Sequence, residues 1–389
     1  MQCCAILYAI RNETIGGAEM KEETETHRET NDRTPADSAA EDSVAPIESE
    51  TDPEPAPSSQ PKASEGIFDD SVVYVTTQGS VIGARGGRIT VAIKDEGVLA
   101  SFPMGQLDTV NIFGNIQFTT QFVARANEHG IVLNYFTQFG KYRGSFIPEK
   151  NTIAEVRRRQ YALGGKQAIH IAQKIVQGKI RNSRTFLGRK GVTGIEKLAD
   201  LEARTTAAMT MDELRGIEGE AASIYFSLLD GCLIGDWTFA KRTRRPPEDH
   251  INALLSLTYT MMKNEVLSAL RQYNLDPFLG VMHADRHGRP ALALDLQEEF
   301  RPIFCDAFAI RLINQGALTH DDFAKNNHLK DYAFKKYLGK YDDYMKEEFK
   351  HPKFGYTVSR RKAVRMQAIL LRKAIVGELD EYYPLIFKR

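Results

Sequence analysis

The chain has 389 residues, 42% of them apolar, and its 51 Lys/Arg balance 51 Asp/Glu. That length is enough for two domains of ordinary globular composition, and without an apolar run long enough for a bilayer no membrane-spanning helix is expected. The zero net charge hides a division: residues 1–70 carry five Lys/Arg against seventeen Asp/Glu, net −12, and residues 71–389 carry 46 against 34, net +12. A basic body of this kind calls for a polyanionic partner.

The opening MQCCAILYAI is apolar but short, without a preceding basic stretch or a close cleavage site, so a signal peptide is not expected. The four cysteines, Cys3, Cys4, Cys232 and Cys305, show no CxxC spacing, which favours a reducing cytosol. Residues 16–65 are rich in Glu, Thr, Ser, Ala and Pro and cannot bury enough apolar surface to offset ordering, so residues 1–68 are expected to be a disordered acidic tail.

The character then changes. SVVYVTT, SVIGA, RITVAIK, GVLASFP, TVNIFG and IVLNYFT are β-branched runs separated by turn signals. They predict a small, mostly antiparallel β domain over residues 69–148, with one helix near 119–129 and a closing hairpin in FTQFGKYRGSFIP. From residue 149 the apolar spacing of three and four is helical almost to the end, in IAEVRRRQYAL, KQAIHIAQKIVQGKIRNSRTFL, INALLSLTYTMMKNEVLSALRQY, EEFRPIFCDAFAIRLINQG and SRRKAVRMQAILLRKAIVGEL. The expected class is α+β, a β domain followed by a larger all-α domain over residues 149–389.

Four residues stand out between 213 and 302. In ELRGIEGEAASIYF, Glu218 lies beside an apolar stripe and between Gly216 and Gly219, which cost helix stability unless something approaches the backbone there. The other reading is a half-exposed helix Glu. His283 ends the apolar run FLGVM, and the turn DRHGRP leads back to ALALDLQEEF, which brings the imidazole toward Asp295 and Glu298. Asp295 and Glu298 also match a capping box, with Asp295 as N-cap; ligation and capping are compatible. One imidazole with two or more carboxylates suits Mg²⁺ or Mn²⁺, the imidazole tilting the choice toward Mn²⁺ or a transition metal. Basic groups cluster at Lys179, Arg181 and Arg184, at Lys241, Arg242, Arg244 and Arg245, and in the last long helix, a pattern suited to phosphate backbones.

With LRGIEGEAA, RPPEDHINALLSLTYT, LDPFLGVMH and ALALDLQEEFRPIFCD in this order, residues 71–389 resemble the CRISPR-associated adaptation integrase family. The resemblance implies a β domain that mediates homodimerisation, a helical catalytic domain, and metal ligands at Glu218, His283 and Glu298 with Asp295 as an accompanying acid. It places Asn252 and Tyr259 around the active site; with the charge clusters above, Lys179, Arg181, Arg244, Arg245 and Asn252 are the groups expected to meet DNA. It also implies double-stranded DNA (captured fragments and the CRISPR repeat) as substrate, a small ferredoxin-fold partner protein completing a hetero-hexamer, and a prokaryotic cytosolic setting.

The implied chemistry is phosphoryl transfer, in which the 3′-hydroxyl of a captured end attacks a phosphodiester at the leader–repeat junction. A ligating His283 is neutral, so activity is expected to fall in acid. Two other readings stay open: a metal-dependent nuclease of branched DNA in repair, and a non-catalytic DNA-binding scaffold whose acids only cap helices.

Overall fold

The β-branched runs pair into two four-stranded sheets. The strands are β1 (Val72–Val75), β2 (Val81–Arg85), β3 (Arg88–Ile93), β4 (Gly97–Pro103), β5 (Thr109–Phe113), β6 (Gln117–Phe118), β7 (Val132–Phe136) and β8 (Tyr142–Phe146). A computed structural model describes residues 72–148, 153–244 and 246–387. The tail expected over residues 1–68 lies outside the described residues, as does Arg245.

One sheet runs β1-β5-β7-β8 and the other β4-β3-β2-β6. The pairs β2/β3, β3/β4 and β7/β8 are antiparallel, but β1/β5, β5/β7 and β2/β6 are parallel. Pairing is therefore mixed, where the sequence suggested mainly antiparallel strands. The reason is the helix α1 (Thr120–His129), which supplies the long crossover that parallel β5 and β7 require. Thr119 caps it by accepting from Phe122 N at 3.1 Å, and Gly130 ends it at φ 74°. Phe122 and Ala126 of α1 pack with Val73, Ile82, Val91, Val110 and Leu133 into a core shared by both sheets.

From α2 (Ala154–Tyr161) onward the chain is helical: α3 (Gly165–Arg189), α4 (Glu196–Arg204), α5 (Met211–Leu228), α6 (His250–Gln272), α7 (Ala291–Gln297), α8 (Ala307–Asn314), α9 (Asp331–Lys346) and α10 (Arg360–Val376), with a short hairpin of β9 (Glu348–Lys350) and β10 (Thr357–Ser359) before the last. The architecture is thus a mixed-sheet N-terminal region followed by a helical domain. The long α3 and α6 are almost wholly buried along one face and form the frame on which the site is built. The buried Arg361 of α10 joins the two parts, pairing with Glu265 of α6 at 3.0 Å and Asp342 of α9 at 3.1 Å, and donating to the Tyr74 hydroxyl of β1 at 3.1 Å. Among the described residues, no helix is long and apolar enough to cross a membrane.

Two local expectations fail. EEFRPIFCD is not one continuous α-helix: Arg301–Asp306 winds as a π-helix, with Cys305 N donating to Phe300 O across five residues. Pro302 has no N–H to continue an α-helical ladder, and the wider turn accommodates that loss. Asp295 is also not an N-cap, because α7 already begins at Ala291 and Asp295 lies inside it.

Candidate metal centre

Four segments are linked by a run of contacts. α3 brings Lys179, α5 brings Glu218, the loop after α6 brings His283, and the end of α7 brings Asp295 and Glu298. The Thr210–Glu213 capping box fixes the start of α5 two turns before Glu218. Arg215, one turn before Glu218, donates Nε and Nη2 to Met282 O at 3.0 and 2.7 Å. That contact ties α5 to the His283 loop.

The Asp295 carboxylate organises the loop. Its Oδ2 accepts from Val281 N at 2.7 Å and Met282 N at 3.1 Å, and its Oδ1 accepts from His283 N at 2.9 Å and from the His283 ring Nδ1 at 2.6 Å. A carboxylate at Nδ1 fixes the ring orientation and favours the proton on that nitrogen, which turns Nε2 away from Asp295. That Nε2 faces Glu298 Oε1 at 4.0 Å. Gly280 makes the wrap possible, since a Cβ there would sit 2.7 Å from Ala291 Cβ, 2.9 Å from Asp295 Oδ2 and 3.0 Å from His283 O. The excursion from His283 to Asp295 is thus closed by a buried side chain, not by strand pairing.

Glu298 is 2% exposed and receives Arg301 Nη1 at 2.9 Å on Oε1. Burial alone pushes its pKa up, but Arg301, Lys179 and His283 outweigh burial and hold the carboxyl down at about 2. Lys179 contacts the Glu218 carboxylate and lies 2.6 Å from Glu298 Oε2. One ammonium thus serves both carboxylates. With the ammonium between them, no three acidic or imidazole groups among the described residues close on a common point as a finished metal cage.

Glu299, next in sequence, belongs elsewhere. It accepts from the Tyr382 hydroxyl, from Leu385 N at 2.6 Å and from Gln367 Nε2 at 3.2 Å, which docks the C-terminal segment. Burial pushes its pKa up to about 8 against those three donors. Gly216 and Gly219 also read differently in three dimensions. A Cβ at either would meet nothing within 4 Å, so they leave open space on the exposed side of α5, and no packed neighbour approaches there.

The expected DNA contacts divide. Arg244 is exposed, and Arg181 is half-exposed with its Nε 3.2 Å from Glu202. Lys179 is instead buried in the acidic cluster. Asn252 is also buried: its amide donates to Lys241 O at 2.9 Å and Asp249 Oδ2 at 2.6 Å, and its oxygen accepts from Arg242 at 2.8 Å and Thr243 N at 2.9 Å. Every polar position of its side chain is used, so Asn252 pins the Arg242–Arg244 loop to α6 and has nothing left for a ligand.

Beside the acids lies a group that sequence reasoning passed over. Asp306 of the π-helix accepts from Tyr225 of α5 at 2.8 Å and Tyr259 of α6 at 2.6 Å. Arg301 and Arg242 stack on the Tyr259 ring at 4.8 and 5.3 Å. Burial raises Asp306 to about 6, opposed by the two phenols and two guanidiniums. The only signal available for it was FRPIFCD itself, where a Pro two residues into an expected helix warns of irregular winding.

The donor set fits a hard divalent cation. It comprises two carboxylates, one of them buried, an imidazole oriented by a carboxylate behind it, and a positive group already lodged between the acids.

Residues 73–343 match the sequence profile of the family described as CRISPR associated protein Cas1. A relative named CRISPR-associated endonuclease Cas1 4, from Methanospirillum hungatei, is 54% identical over 330 residues, covering 85% of this chain and 95% of its own. The solved structure of TM1797, a Cas1 protein from Thermotoga maritima, superposes with a TM-score of 0.70 at 23% identity, over 82% of this chain and 99% of that one. A chain of a Cas6-RT-Cas1–Cas2 complex superposes with a TM-score of 0.68 at 26% identity, over 83% of this chain but only 37% of its own length. With a profile match across most of the folded body and a relative identical at more than half its positions, the chain belongs to the Cas1 family of CRISPR-associated proteins.

Proposed function

We propose that this chain is a divalent-metal-dependent DNA endonuclease and integrase, which inserts short captured DNA fragments into a CRISPR array by 3′-hydroxyl transesterification. The observation that carries the reading is that Glu298 links the other two acid and imidazole positions: it shares the Lys179 ammonium with Glu218 and faces His283 Nε2 at 4.0 Å, the three coming from separate segments. Glu218, His283 and Glu298 are the residues that would hold the metal. A bound Mg²⁺ or Mn²⁺ supplies polarisation of the phosphoryl oxygen and stabilisation of the departing oxyanion.

The chain's own groups do the rest. Asp295 holds the His283 ring through Nδ1, which orients Nε2 toward Glu298. Arg301 fixes Glu298 against rotation and is itself held flat on Tyr259. Exposed Arg244 and half-exposed Arg181 offer guanidiniums to DNA phosphates. In the transfer, the 3′-oxygen of the captured end forms its bond to phosphorus as the bond to the displaced 3′-oxygen breaks. One phosphodiester replaces another, the proton passes from the attacking to the departing hydroxyl, and no energy-carrying cofactor is needed.

The same reading includes a homodimer formed through the β region, double-stranded DNA as substrate, and a cytosolic setting. It also includes a small ferredoxin-fold partner of the Cas2 kind in a hetero-hexamer, which the Cas1–Cas2 complex among the structural relatives supports. Purified Glu218→Ala and His283→Ala proteins are expected to lose Mn²⁺-dependent cleavage and strand joining while keeping DNA affinity within a few-fold. Full activity in either folded variant overturns the reading. Cleavage without joining, when a 3′-hydroxyl donor is supplied, moves it to a nuclease of branched DNA.

A further inference from the structure

Lys179 is 9% exposed, midway along α3, and has a role that the charge pattern of the sequence did not suggest. Among the described residues it is the only ion-pair partner of Glu218, and it bridges that carboxylate to Glu298 Oε2 at 2.6 Å. We infer that Lys179 is a built-in counter-ion, holding the place of the divalent cation between Glu218 and Glu298, and that the metal enters by displacing it. The inference rests on the metal-dependent reading above and adds a residue to it.

Three features support this role. Two carboxylates facing one partly buried space repel each other unless a positive group lies between them, and Arg301 reaches only Glu298 Oε1. The ammonium is a single charge serving two carboxylates, so a divalent cation, with twice the charge, would compete well for the same oxygens. The two positive neighbours also differ in mobility. Arg301 is a planar fork clamped between Glu298 and the Tyr259 ring, whereas Lys179 is a single charge on a four-carbon stem that can swing away. An ammonium and a divalent ion cannot share the same pair of oxygens, so occupancy is exclusive. Lys179 therefore acts through the carboxylates as a positioning residue, keeping them near each other in the metal-free protein.

The test measures Mn²⁺ binding to the full-length chain, by the loss of the free-ion paramagnetic signal, together with thermal unfolding in chelator and in Mn²⁺. If Lys179 holds the site in nine molecules out of ten, removing it tightens apparent Mn²⁺ affinity about tenfold. Lys179→Met and Lys179→Gln are both expected to bind Mn²⁺ tighter than wild type, to melt lower in chelator, and to gain more from added Mn²⁺. Lys179→Arg, which keeps the charge, is expected to bind no tighter than wild type. A lysine that merely supports structure or assists ligation gives the opposite sign, so equal or weaker Mn²⁺ binding in a folded Lys179→Met or Lys179→Gln overturns the inference. If wild type binds no Mn²⁺ and neither does Glu218→Gln nor any Lys179 variant, the metal reading itself fails. Wild-type binding lost in Glu218→Gln but untightened by Lys179→Met removes only the role of Lys179.

Discussion

Asp295→Asn probes the centre through a residue that does not reach the proposed ion. The Asp295 carboxylate serves four donors, three backbone N–H groups at 2.7, 3.1 and 2.9 Å and the His283 ring at 2.6 Å. An amide offers one acceptor oxygen, and its NH₂ group points donors at donors. About two of the four bonds lose a charged acceptor, at roughly 1.5–3 kcal/mol each before relaxation, so a net loss near 3 kcal/mol is expected. For a body of this size that lowers the melting temperature by several degrees. The effect on the site is larger than the effect on stability. An amide NH₂ opposite Nδ1 favours the tautomer with its proton on Nε2, the nitrogen meant to bind metal. Losing such a carboxylate behind a histidine ligand typically weakens metal binding by about 10–100-fold. Mn²⁺ titration of folded Asp295→Asn, alongside a nicking assay on labelled DNA, reads both consequences. Unchanged Mn²⁺ affinity and unchanged cleavage would refute the claim that Asp295 sets the imidazole tautomer.

Two more predictions follow from distances and titration. Gly280→Ala forces a methyl within 2.9 Å of Asp295 Oδ2 and 2.7 Å of Ala291 Cβ, so the loop must lift; a stability loss of about 1–3 kcal/mol is expected with a much larger loss of Mn²⁺-dependent cleavage. Cleavage at the wild-type rate argues that the loop tolerates displacement. Glu299, raised by burial from 4.5 to about 8, stays protonated in the fold over a range where the unfolded chain ionises. Its contribution is full below 4.5 and is lost progressively as pH rises to 8, at about 1.4 kcal/mol per pH unit at most. Across that window the melting temperature of wild type is expected to fall relative to Glu299→Gln, and parallel curves would contradict the assignment.

Most of the architecture was legible because the signals were local. The β-branched runs between Val72 and Phe146 are short and set off by turn residues, and Thr119 and Gly130 bracket α1 with the chemistry that helix ends demand. The strand directions were not legible, since a run such as TVNIF pairs equally well either way until a crossover helix is placed against it. The motif D-x-x-E misled for a related reason: it describes a capping box correctly, but here α7 starts earlier and the pattern arises from two residues with different tertiary tasks.

The sequence alone determined that an imidazole and several acids lie near one another in a basic, largely helical body. It could not decide between Glu298 and Glu299. Successive helical side chains point about 100° apart, and only the docking of Tyr382 and Leu385 shows which face is taken. Nor could it separate Lys179 from the surface lysines around it or Asn252 from a DNA-contacting amide. Composition records that a charge exists, but its partner is chosen by packing. Once α3 is buried against α5 and the end of α7, the Lys179 ammonium has carboxylates within reach and no phosphate; that proximity exists only in the folded chain.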